Sequence, residues 1–128
     1  MKRVLEEDET GCGMACVAML AETDYFTSCC KFFRTKSGRG RLTSTKDVRM
    51  ALRRAGLSSG RRLTRFKKGE TCASIKTDAI LHVRPYRHRD AKIGHWVVWD
   101  SKKRIILDPQ KKPYKRLWIH SYLPVYCR

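Results

Sequence analysis

Residues 6–20 read EEDETGCGMACVAML. A cysteine stands between two glycines at the start of a run of small and apolar side chains. Ala15, Cys16, Met19 and Leu20, with Val17 and Ala18 between them, make the segment from Cys12 to about Glu22 a helix that is apolar on most sides, so it should be largely buried. Taken alone, Cys12 is open to four readings: nucleophile, metal ligand, half of a disulfide, or a small apolar residue at the edge of a core.

Outward from this helix the texture changes once. A weaker helix is expected over 25–33. A clearer one follows Ser44, where Asp47 completes a capping-box pattern, Val48, Ala51, Leu52 and Ala55 recur at helical spacing, and Gly56 supplies the stop. The stretches RTKSGRGRLTS (34–44) and GLSSGRR (56–62) read as basic loops. Beyond them DAILHV (78–83), HWVVWD (95–100), RIILD (104–108) and RLWIHSYLPVY (116–126) are rich in β-branched and aromatic residues, with a hairpin turn at DSKK. Helices first and an antiparallel sheet after them give an α+β fold, and 128 residues fit a single domain spanning 1–128.

The chain carries a formal charge of +17. It is unevenly placed, with a net −4 over residues 1–24 and +21 over 25–128. Such a balance favours acidic proteins or polyanions as partners without choosing between them. The clusters GRGR, GRRLTRFKK, RPYRHR and KKPYKR suit docking of an acidic protein substrate better than nucleic acid, because no nucleic-acid motif accompanies them. MKRVLEEDE lacks the apolar run of a secretory signal, and no segment approaches the roughly 18 apolar residues of a membrane span. The expected location is the cytoplasm, where Cys12, Cys16, Cys29, Cys30, Cys72 and Cys127 are reduced thiols.

A cysteine nucleophile needs a lowered pKa, a base within reach and donors for the oxyanion. A helix N-terminus supplies the first, and Cys12 sits at one. Gly11 and Gly13 leave room for a substrate chain to approach. Among the four histidines, His82, His88 and His120 read as structural or exposed. His95 follows Gly94 and opens the strand HWVVWD; Asp108 ends the adjacent strand in ILDP. If these strands pair, His95 and Asp108 lie toward the same open end, although an Asp before Pro109 is also a natural turn residue. Trp96 and Trp99 read as core or cleft-lining. Cys12 and Cys16 alone do not make a zinc site, since no second cysteine pair completes it; no metal or cofactor is expected.

DETGCGMACVAML, GHWVVWD and ILDP together resemble the C39-type cysteine peptidases of the papain-like superfamily over about residues 4–110. The resemblance implies a papain-like fold with the nucleophile helix packed on the antiparallel sheet, and cleavage after small residues, often a Gly-Gly pair. By matching position it implies Cys12 as nucleophile, His95 as general base and acid, and Asp108 as the orienting group, with Gly11, Gly13, Gly94 and Trp96 as substrate-cleft candidates. One position departs: the family's oxyanion-donating glutamine, six residues before the cysteine, is Glu6 here, and a carboxylate offers no donor. Size and charge fit a stand-alone processing enzyme or an antibacterial effector delivered into a target cell's cytoplasm and neutralised at home by an immunity protein. The alternatives are a papain-like scaffold acting on nucleic acid as a nuclease toxin or binder, and an inactive partner-binding domain.

Overall fold

The computed structural model describes residues 1–8, 10–35, 38–85, 94–114 and 116–127. The helices come first: α1 (Cys12–Leu20), α2 (Tyr25–Thr27) running into a π-helical stretch (Ser28–Phe32), and α3 (Thr45–Arg54). The strands follow as β1 (Leu57–Ser59), β2 (Thr64–Arg65), β3 (Ala79–Pro85), β4 (His95–Asp100), β5 (Ile105–Leu107) and β6 (Leu117–Cys127), with a 3₁₀ turn at Cys72–Ser74. They form one antiparallel sheet in the order β1-β6-β3-β4-β5, with β2 also pairing with β6.

The helix boundaries follow local chemistry. The Ser44 hydroxyl accepts from the Asp47 N–H at 3.2 Å while the Asp47 carboxylate accepts from the Ser44 N–H at 3.0 Å, a reciprocal cap that starts α3 as its sequence pattern predicts. α1 stops at Leu20, two residues short of the expected end, because the chain turns at Ala21 and Glu22 adopts a positive φ of 56°. The segment expected as one helix over 25–33 is split: a single α turn capped by Asp24, whose side chain accepts from the Thr27 N–H at 2.6 Å, widens into the π-helical stretch.

Every residue of α1 from Cys12 to Met19 is buried. The helix lies between α3 and the π-helical stretch on one side and the sheet on the other, sharing a core with Val48, Leu52, Ile80, Val98 and Leu123. The opposite sheet face is covered by the segment around the 3₁₀ turn, where Cys72 and Ile75 pack with Leu81, Val83, Val97 and Trp99. β4 is therefore buried on both faces, which is why HWVVWD reads as a continuous apolar run instead of an alternating one.

The loop expected at 56–62 needs correction. Leu57, Ser58 and Ser59 pair with Cys127, Tyr126 and Val125, and Thr64–Arg65 pair with Tyr122–Ser121. Serine-rich sequence carries little strand propensity of its own; here the long β6 offers an open row of backbone donors and acceptors, and satisfying them outweighs local preference. His88 and most of the basic stretch RPYRHR fall in 86–93, outside the described residues.

Candidate functional site

Gly11 is the N-cap of α1 and Cys12 its first helical residue, so the thiol lies at the positive end of the helix beside unpaired backbone N–H groups. Gly11 is required by packing: a Cβ built there would lie 1.8 Å from the Tyr25 hydroxyl. Tyr25 in turn donates to Asp8 at 3.2 Å, and the same Asp8 oxygen accepts from the Gly40 N–H at 2.6 Å. Asp8, Tyr25 and Gly40 thus clamp the turn that leads into Cys12. Gly11→Ala is expected to destabilise the fold by about 1–3 kcal/mol, read as a lowered thermal midpoint; adding Tyr25→Phe should return part of the loss, and an unchanged midpoint in the single variant would contradict this packing.

β4 and β5 pair with Val98 opposite Leu107, which brings the start of β4 and the residue after β5 to the same end of the sheet. There His95 Nε2 and Asp108 Oδ1 are 2.8 Å apart, both side chains buried. The bond to Asp108 engages Nε2 of the ring. Burial by itself would lower the imidazole's proton affinity, but the Asp108 hydrogen bond, a hydrogen bond to Cys12 and the charges of both partners outweigh it and raise His95 to about 9. For Asp108 burial pulls upward, and the His95 bond together with the Gln110 and Tyr114 backbone N–H groups holds it below the usual carboxylate range. His95 and Asp108 are accordingly an imidazolium–carboxylate pair at neutral pH.

Asp108 is also the turn residue its Pro neighbour suggests. Its Oδ1 accepts from the Gln110 N–H at 3.0 Å and its Oδ2 from the Tyr114 N–H at 3.3 Å, so one carboxylate both shapes the loop and holds the imidazole. The loop is tied to the N-terminal segment: Arg3 Nε donates to the Asp108 carbonyl at 2.6 Å, its terminal nitrogen donates to the Gln110 carbonyl, and the Glu6 N–H donates to the Pro109 carbonyl at 2.8 Å. These bonds bring Glu6, itself buried, to the site.

Cys16, one turn further along α1, is fully buried, and its thiol is pushed well above the ordinary value by burial first and then by the neighbouring charges of Cys12, Asp108 and Glu6. Of the other candidates, the space beside Gly13 is filled by Thr43 and that beside Gly94 by His82, whose Nε2 would be 1.9 Å from a Cβ there. Trp96 packs into the α1 core, with its ring 4.9 Å from that of His82. Trp99 faces the other core and donates to the Ile75 carbonyl at 3.1 Å. All six cysteines are free thiols, and among the described residues no three His, Cys, Asp or Glu side chains converge as a metal site. Among those residues no helix is long and apolar enough to cross a membrane.

Sequence reasoning missed Arg3, Asp8, Tyr25, Gln110 and Tyr114. Tyr114 stands with its ring edge-on to His95, centroids 5.7 Å apart. The Asp-Pro-Gln turn was recoverable from local chemistry, since Asp accepts from the N–H two residues on. The partnership of Arg3 with residues more than a hundred positions away had no local signal.

Comparison with known proteins gives a family match and matches to solved structures. The profile of the Peptidase C39 family matches residues 1–117. A solved structure described as a double glycine motif protease from an AMS/PCAT transporter, in complex with the leader peptide, superposes with a TM-score of 0.65 at 18% identity, covering 99% of this chain and 91% of that one. At that identity the likeness speaks to the fold, which is the mixed helix and antiparallel sheet arrangement of a papain-like C39 protease domain. No curated protein matches the sequence.

Proposed function

The chain belongs to the Peptidase C39 family, and from that premise we propose that it is a cysteine peptidase that cuts after a Gly-Gly pair, using Cys12, His95 and Asp108. The observation that carries the assignment of roles is the buried 2.8 Å His95–Asp108 pair at the sheet end that faces the N-terminus of α1. Cys12 is only 8% exposed, so a slim acyl group is the kind that can reach its sulfur. The solved structure of similar fold, a double glycine motif protease in complex with the leader peptide, supports the same preference.

In this mechanism the Cys12 thiolate adds to the scissile carbonyl carbon, and the carbonyl electron pair moves onto oxygen. The Cys12 backbone N–H, at the helix N-terminus, donates to that oxyanion. As the C–N bond breaks, the His95 imidazolium transfers its proton to the departing amine, leaving a thioester and a neutral imidazole. His95 then removes a proton from water, whose oxygen displaces the thiolate and releases the acid. Asp108 holds the ring toward these atoms and stabilises the imidazolium each time it forms.

Glu6 opposes this chemistry. A carboxylate next to a developing oxyanion is the wrong charge, whereas an amide would donate. Glu6→Gln is therefore expected to raise kcat/KM by about 100-fold or more, the size of one oxyanion donor. An unchanged rate would assign the oxyanion site to other donors.

The direct test is product mapping. The purified chain is incubated with peptides that contain Gly-Gly and matched peptides with Ala-Val in its place, and new termini are read by mass spectrometry. Cleavage only after Gly-Gly, blocked by prior thiol alkylation, is the expected result. No cleavage of any peptide, or cleavage insensitive to alkylation, overturns the proposal.

A further inference from the structure

At the start of β6, facing the segment 65–72, lies a groove of about 610 Å³ lined by Arg65, Lys67, Lys68, Leu117, Trp118 and His120 among others. Leu117 and Ile119 pack onto the core beneath, so this part of β6 is a rigid support. Trp118 lines the same groove and is 51% exposed. It belongs to neither core cluster. The Arg84 guanidinium lies 5.9 Å from its ring centroid, and His120 meets it edge-on at 6.0 Å. An indole held in position yet left open to solvent is not explained by packing.

The charge around this ring is one-sided. Arg65, Lys67 and Lys68 line the same groove, Arg84 lies against the ring, and the groove's one acid, Glu70, is turned back to accept from the Lys67 backbone N–H at 2.8 Å. Among the described residues the ion pairs are Arg41–Asp47 and His95–Asp108, so no carboxylate neutralises these four cations. None of these residues takes part in the Cys12, His95 and Asp108 chemistry.

We propose that this groove binds a single-stranded nucleic acid, with one base stacked on Trp118 and the flanking phosphates on Arg65, Lys67, Lys68 and Arg84. Stacking on an exposed aromatic surrounded by cations is how single strands are held without sequence preference. A duplex keeps its bases inside and has no face to offer the indole. An acidic peptide would use the cations and leave the ring idle. The proposal does not depend on peptidase activity, and the two fail separately.

The test is fluorescence anisotropy with labelled uridine and deoxythymidine strands of about twelve nucleotides, a duplex of equal length, and a polyglutamate peptide of equal charge. Single strands should bind more tightly than the duplex and the peptide, with affinity falling about 50-fold between about 50 and about 200 mM salt for four phosphate contacts. Trp118→Ala should weaken binding about 10-fold with the salt dependence unchanged, and Trp118→Phe should restore most of the loss. Lys67→Ala with Lys68→Ala should cut the salt effect to about 7-fold. A tighter uridine strand would assign RNA through its 2′-hydroxyls, and equal binding would assign backbone and stacking alone; both support the proposal. It is overturned if the single strands do not bind at low salt, if Trp118→Ala leaves their affinity unchanged, or if polyglutamate binds as well.

Discussion

Cys12→Ala is expected to lower cleavage of a Gly-Gly peptide by about 10⁶-fold, the scale seen when a covalent nucleophile is removed from a complete site. Cys16→Ala should leave most of the activity. Both thiols lie on α1 one turn apart, and their environments separate them. Cys12 begins the helix beside unpaired N–H groups, while Cys16 is fully buried in the core with its thiol pushed well above the ordinary value. A thiol held protonated cannot attack a carbonyl. Mass spectrometry after stoichiometric iodoacetamide treatment checks the same distinction, because Cys12 should be alkylated at neutral pH well before Cys16. Retained cleavage in Cys12→Ala, or equal loss in Cys16→Ala without unfolding, would remove the assignment.

Asp108→Asn carries the second largest expected effect, about 10³- to 10⁴-fold in kcat/KM, as for other sites where the group that orients a catalytic histidine becomes an amide. The pH profile gives the sharper reading. With Asp108 in place His95 is raised to about 9, so the imidazolium that protonates the leaving amine persists below that pH and is lost as pH rises through it. Activity should accordingly hold up to about pH 9 and fall above it. The variant keeps an acceptor beside Nε2 but loses the negative charge, which is one of the influences that raise His95; the alkaline limb must then move to lower pH. The same sign governs folding: stability from a raised histidine is fully present below its unfolded value and disappears as pH climbs through the folded one. Alkaline thermal unfolding should therefore come earlier for the wild type near pH 9, with a smaller pH effect in Asp108→Asn. An alkaline limb that does not shift would mean that Asp108 acts only as the turn residue that binds the Gln110 and Tyr114 N–H groups.

Much of the fold was legible because its signals are local. The Ser44–Asp47 cap, the buried apolar helix after Cys12 and the apolar strand HWVVWD each follow from neighbouring side chains. The hairpin turn also follows, although β5 begins only at Ile105 because Arg104 takes a positive φ of 57° to close the turn. Leu57–Ser59 and Thr64–Arg65 were illegible as strands for the opposite reason. Their pairing is set by β6, some sixty residues later, and not by their own propensity.

The candidate site divides in the same way. Composition, the helix start at Cys12 and the strand-end positions of His95 and Asp108 were legible in the sequence itself, since each follows from its neighbours, whereas their joint role was what the family resemblance implied. Only the tertiary structure decided how they are held. The hydrogen bonds of Arg3 and Glu6 to the 108–110 loop, the Asp8 clamp on Tyr25 and Gly40, and the Tyr114 ring against His95 all join segments distant in sequence. Buried donors and acceptors must find partners wherever the folded chain supplies them, and that requirement has no periodicity to read.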